Sequence, residues 1–98
     1  MATIEVDLHI ESLLDNFSGL DNAAILEYQL DVFHKVLYKH RNNKGLRIVF
    51  IRGEGSGRLK SKIKSLLKKS YEHYPFMDAS SVNAIKYRMG TATVVTIK

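Results

Sequence analysis

The first residues set apolar and polar side chains in alternation, with Ile4, Val6, Leu8 and Ile10 on one side and Glu5, Asp7 and His9 on the other. A period of two marks a strand with one buried face. It predicts an opening strand from Ile4 to Ile10 with Asp7 and His9 neighbours on its accessible face, close enough to act on one ligand. After a polar connection through Asp15-Asn16-Phe17-Ser18-Gly19 the period changes. Leu26, Leu30, Phe33 and Leu37 recur at helical spacing, predicting a helix from Asn22 to Arg41 that packs on a sheet. Asp21 or Asn22 caps its start, and Asn42-Asn43-Lys44-Gly45 ends it with Gly45 in a positive φ.

Leu46-Arg47-Ile48-Val49-Phe50-Ile51 is β-branched and aromatic and reads as a central strand. It runs into Arg52-Gly53-Glu54-Gly55-Ser56-Gly57, and a second helix follows from Arg58 to His73 with Leu59, Ile63, Leu66 and Leu67 on its buried side. Pro75 closes that helix. Met77 to Val82 is a weak strand pattern, Asn83 to Gly90 a partly extended link, and Thr91 to Ile97 a good strand. The order β-α-β-α-β-β implies an α/β (α+β) two-layer sandwich, a mixed four-stranded sheet with two helices on one face. The first crossover makes its strands parallel.

A chain of 98 residues, 45% hydrophobic and 26% charged with one proline, suits one globular core and not two, so residues 1–98 read as a single domain. No run approaches the roughly 20 apolar residues that span a bilayer, and the start lacks the basic and apolar regions of a signal peptide. The expectation is a cytoplasmic protein with no membrane association. Without cysteine there are no disulfides, thiolate metal sites or cysteine nucleophiles. Asp7 and His9 alone are too few to ligate a metal, and no motif calls for a cofactor.

Charge changes the picture more. The net charge is +5, and it is unevenly spread. From Lys44 to Lys69, Lys44, Arg47, Arg52, Arg58, Lys60, Lys62, Lys64, Lys68 and Lys69 face a single acid, Glu54, whereas acids outnumber bases before it. Lysines of this kind also serve simply to solvate a helix. Here they surround three alternate glycines between a strand and a helix, a pattern that lets backbone N–H groups approach an anion at a helix start. Arg52, Gly53, Gly55, Ser56, Gly57, Arg58, Lys60, Lys62 and Lys64 are therefore the candidate phosphate-binding residues. The spacing is not that of a P-loop, since Arg58-Leu59 stands where Lys-Ser/Thr would follow the glycine, nor is G-x-G-x-G a dinucleotide fingerprint.

An early Asp7-Leu8-His9 strand, a hydrophobic strand leading into the G-x-G-x-G turn and a basic helix, and a closing Thr/Val-rich strand together resemble the Smr (small MutS-related) domain, over about Glu5 to Ile97. The resemblance implies a fold similar to the C-terminal domain of translation initiation factor three, and a domain that binds DNA or RNA and in several members cuts it. It also implies a C-terminal domain of a longer protein with partners reached through other domains, which an abrupt strand entry at Ile4 fits. Asp7 and His9 match the family's Asp-Leu-His-Gly, but Ile10 replaces its glycine. Arg52 stands where the family's His-Gly-x-Gly has histidine, and arginine, always protonated, binds phosphate without transferring protons. The expected function is nucleic-acid binding, with DNA-nicking or RNA endonuclease activity resting on Asp7 and His9 as catalytic residues. The competing reading is a non-catalytic module whose basic face docks on an acidic protein or ribonucleoprotein. His34, His40 and His73 read as surface residues, and Tyr71, Tyr74 and Phe76 as a cover for the core edge; Tyr87, Arg88 and Gly90 are weaker candidates for the binding surface.

Overall fold

A computed structural model of the chain describes residues 2–53, 57–78 and 91–98. The elements run β1 (Thr3–Asp7), α1 (Ile10–Leu13), α2 (Asn22–Lys39), β2 (Arg47–Ile51), α3 (Arg58–Lys69), β3 (Phe76–Asp78) and β4 (Ala92–Thr96). The sheet is mixed and four-stranded, in the order β1-β2-β4-β3. β1 and β2 are parallel, with Asp7 opposite Ile51, and β4 lies antiparallel between β2 and β3.

The alternation of the strands places Ile48 and Phe50 of β2 and Val95 of β4 on one face, where they bury against Phe33 and Leu37 of α2 and Ile63 and Leu67 of α3. Both long helices thus cover the same side of the sheet, and each lays an apolar stripe of helical period on it. Phe33 and Phe50 meet at a ring-centroid distance of 4.8 Å in the middle of this core. On the other side of the sheet Val49, Ala92 and Val94 form a smaller buried cluster. Asp21 caps α2, its carboxylate accepting from the N–H of Ala24 at 2.8 Å.

Three boundaries differ most from the sequence pattern. The opening strand stops at Asp7 rather than Ile10, and Ile10 begins the short helix α1. Ile10 is buried all the same, because the first turn of a helix can point it into the core that a longer strand would have reached. Helix α3 ends at Lys69, where Ser70 closes it, and Tyr71 to Tyr74 form a turn before Pro75 instead of a further helical turn. The strand expected over Met77 to Val82 is seen as Phe76–Asp78, and the remainder of that pattern, with the link from Asn83 to Gly90, lies outside the described residues.

Candidate functional site

Parallel pairing of β1 and β2 brings their carboxyl ends to one edge of the sheet, and both α2 and α3 begin there. Four elements therefore place Asp7, His9, Arg52 and the start of α3 in one neighbourhood. Ligands of open α/β sheets collect at such strand ends.

Asp7 and His9 form a closed hydrogen-bonded pair. Asp7 Oδ1 accepts from the backbone N–H of His9 at 2.9 Å and from its ring Nδ1 at 2.7 Å, and Oδ2 accepts from Ser12 Oγ at 2.9 Å. An ionised carboxylate only accepts, so the ring proton sits on Nδ1 and the neutral imidazole keeps its lone pair on Nε2. Partial burial pushes the Asp7 carboxyl upward, but the hydrogen bonds from His9 and Ser12, with the attraction of the imidazolium, outweigh it and hold the group below its ordinary value. Both side chains stay reachable from solvent, His9 at 39% and Asp7 at 43% exposure.

The free edge of His9 leans on the glycine turn. A Cβ added to Gly53 would lie 2.7 Å from His9 Nε2, and Gly53 has φ +73°. A side chain at this position would be strained in conformation and would have to push the imidazole of His9 aside. Gln29 of α2 steadies the same stretch from behind, donating from Nε2 to the carbonyl of Leu8 at 2.7 Å.

Beside the pair, a cleft of about 390 Å³ opens between the first turns of α2 and α3. Asn22, Ile25, Leu26 and Gln29 line it from α2, Gly57, Arg58, Leu59 and Lys60 from the start of α3, and Arg52 and Gly53 complete its wall. Gly57 is the N-cap of α3 with φ +80°, no side chain among the described residues caps the helix, and its first turn, with the positive end of the helix dipole, borders the cleft.

Arg52 does something other than what its position in a basic run suggests. The residue is only 5% exposed. Nε donates to Thr93 Oγ1 at 2.8 Å, Nη1 to the carbonyl of Gly53 at 3.2 Å and Nη2 to that of Ala92 at 3.4 Å. The backbone amides of Arg52 and Gly53 both donate to the carbonyl of Thr91 at 2.9 Å. Arg52 thus pins the glycine turn to β4, and of the candidate phosphate-binding cations those presented to solvent are on α3. Arg58, Lys62 and Lys64 are exposed and Lys60 is half-buried along the cleft. Gly55 and Ser56 lie outside the described residues, as do Tyr87, Arg88 and Gly90.

Of the residues that build this site, the sequence pattern points to Asp7, His9, Gly53, Gly57 and the α3 cations, and misses Ser12, Gln29 and Thr93. Gln29 left a signal, since it is a polar residue four positions from both Ile25 and Phe33 on the inward side of a helix. Ser12 left none, because the strand pattern ran on past Asp7 and hid the turn that brings its hydroxyl back. His34, read as a surface residue, is half-buried and bonds through Nδ1 to Tyr71 Oη at 2.6 Å. Among the described residues no three His, Asp or Glu side chains gather to hold a metal ion, and no helix is long and apolar enough to cross a membrane.

Compared with known proteins, the chain matches no family model, no curated protein and no solved structure.

Proposed function

We propose that this chain is a nucleic-acid-binding module of Smr-like type that holds the sugar–phosphate backbone at the start of α3 and carries beside it a proton-transfer pair able to cut the strand. The observation that supports this reading is the juxtaposition at Gly53, which lines the cleft under the α3 first turn and at the same time packs against the imidazole of His9. Backbone binding falls to Arg58, Lys60, Lys62 and Lys64, with the α3 N–H groups as a further anion site.

On RNA, His9 Nε2 takes the 2′-hydroxyl proton while O2′ attacks the adjacent phosphorus to form a 2′,3′-cyclic phosphate, and the 5′-oxygen leaves as a hydroxyl after taking a proton from water. Asp7 keeps the ring in the required tautomer and stabilises the imidazolium that forms. Charge on the phosphorane is met by Arg58 and Lys60, since Arg52 is committed to Thr93 and the turn.

Fluorescence anisotropy with labelled RNA and DNA at several salt concentrations tests the binding. Affinity should fall steeply with salt as phosphate counterions are released. Absence of binding at low salt ends the proposal, and equal affinity for polyglutamate points instead to an acidic protein partner. For cleavage, His9→Ala should abolish strand scission by about a hundredfold or more and leave binding within about twofold. Unchanged scission would place the chemistry elsewhere.

A further inference from the structure

The cleft between α2 and α3 has two chemistries in its walls that a phosphate alone does not need. Ile25 and Leu26 on one side and Leu59 on the other are apolar, while Arg58 and Lys60 bring positive charge. A bare anion is held by the cations and gains nothing from the aliphatic walls, and an apolar ligand gains nothing from the cations. A nucleotide has both a flat apolar base and an anionic phosphate. The volume of about 390 Å³ lies at the small end of the range for sites that enclose a compact organic molecule.

Gln29 adds directional recognition. It lines the cleft, and its amide is fixed in orientation because Nε2 donates to the Leu8 carbonyl at 2.7 Å. That bond uses one amide hydrogen and leaves Oε1 and the second hydrogen, an acceptor and a donor held on a rigid helix, for the edge of a base.

We infer that this cleft takes one unstacked nucleotide of a single strand, its base between Ile25, Leu26 and Leu59 and its phosphate toward Arg58 and Lys60, so that the chain selects single-stranded over duplex nucleic acid. The inference rests on the nucleic-acid reading above. In a duplex the base faces are covered by their stacked neighbours and only groove edges and phosphates are offered, which can meet the α3 rim without filling the cleft. A single strand can turn one base outward, and packing that base against the aliphatic walls takes apolar surface out of water, which favours the single strand over the duplex. The position beside His9 sets the inserted nucleotide next to the phosphodiester that the Asp7–His9 pair addresses.

The test compares one oligonucleotide sequence as a labelled single strand and as a duplex, and follows the amide NMR signals of the whole chain on addition of AMP, CMP, GMP and UMP. The single strand should bind at least about tenfold tighter than the duplex, and the mononucleotides should shift Ile25, Gln29 and Leu59. Gln29→Ala, and Ile25→Ser as a second variant outside the main core cluster, should each lower single-strand affinity several-fold while the slope of affinity against salt stays as in the wild type, because neither residue touches a phosphate. Duplex binding as tight as single-strand binding, or mononucleotide shifts confined to α3 residues that face away from the cleft, overturns the inference and leaves the nucleic-acid reading standing. Failure of both strand forms to bind overturns that reading itself.

Discussion

Arg52, a residue 5% exposed, reaches with its guanidinium Thr93 Oγ1 and the carbonyls of Gly53 and Ala92, so deleting it strands polar groups where water has little access. Hydrogen bonds from a charged donor contribute more than neutral ones, and Arg52→Ala should destabilise the fold by roughly 2–3 kcal/mol in urea unfolding. A variant as stable as the wild type that nevertheless loses nucleic-acid affinity would return Arg52 to the ligand-binding surface. Asp7 calls for a different measurement. Its folded-state value is depressed, so the stabilisation it provides is present above the unfolded carboxyl value of about 3.9 and is lost as pH falls through the lower folded value. Because the side chain is 43% exposed, solvent screens that stabilisation, and carboxyl NMR is a better reporter than unfolding. Asp7 should titrate below an ordinary aspartate, and Ser12→Ala should move the titration back upward by removing one of the bonds to its charged form. Titration at or above the ordinary value would mean that the pair with His9 does not persist in solution. At this scale the sequence pattern names the acid and the base but not their holder. Adjacency of Asp7 and His9 follows from a strand period, whereas the Ser12 contact depends on where the strand stops. The burial of Arg52 depends on Thr93, 41 residues away on the neighbouring strand β4, where it pairs with Phe50 and offers its hydroxyl to the guanidinium.

Helix α2 shows how an element becomes legible. A capping aspartate, a stripe of four apolar residues and a terminal Asn-Asn-Lys-Gly all speak for the same segment, and the observed Asn22–Lys39 falls two residues short of the expected end. Agreement of independent local signals is what makes a boundary readable. The strand–helix junction after β1 lacked such agreement, because Leu8 and Ile10 are buried whether the chain stays extended or turns. The end of α3 lacked it too. Its tail carries aromatic residues that leave the helix in order to dock on α2, and this docking supplies a test. Tyr71 donates from or accepts at Oη toward His34 Nδ1 at 2.6 Å, and its ring stacks with Tyr74 at 5.8 Å. Burial, followed by the neighbouring Tyr74, raises the Tyr71 phenol above its ordinary value. A raised folded-state value means that the associated stability is whole below the unfolded value of about 10 and is lost as pH rises through the folded one. Tyr71→Phe should therefore cost about 0.5–1.5 kcal/mol at neutral pH through the lost hydrogen bond, and this cost should shrink above about pH 10. A difference from wild type that stays constant through that window would show that Tyr71 does not connect α2 to the α3 tail through its hydroxyl.

For the whole molecule, a net charge of +5 attracts any polyanion from a distance, while a binding site requires that the attraction act through particular cations. The fold separates these two effects by placing cations at opposite ends of its helices. Lys60, Lys62 and Lys64 sit on α3 near its start, beside the cleft. Lys35 and Lys39 sit toward the far end of α2, and Lys35 is paired with Asp31 at 2.9 Å. Alanine at Lys60, Lys62 and Lys64 and alanine at Lys35 and Lys39 both lower the net charge, and all five are outside the buried core, so stability should stay within roughly 0.5 kcal/mol per site. If nucleic acid is held at the start of α3, each α3 lysine that meets a phosphate should remove roughly 0.7–0.9 from the slope of log affinity against log salt, and the α2 pair should leave that slope unchanged. Equal losses from the two sets, scaled only to charge removed, would mean that the protein attracts polyanions without a site for them. A slope altered by the α3 set alone assigns the phosphate contacts to the one end of the sheet where Asp7 and His9 also lie.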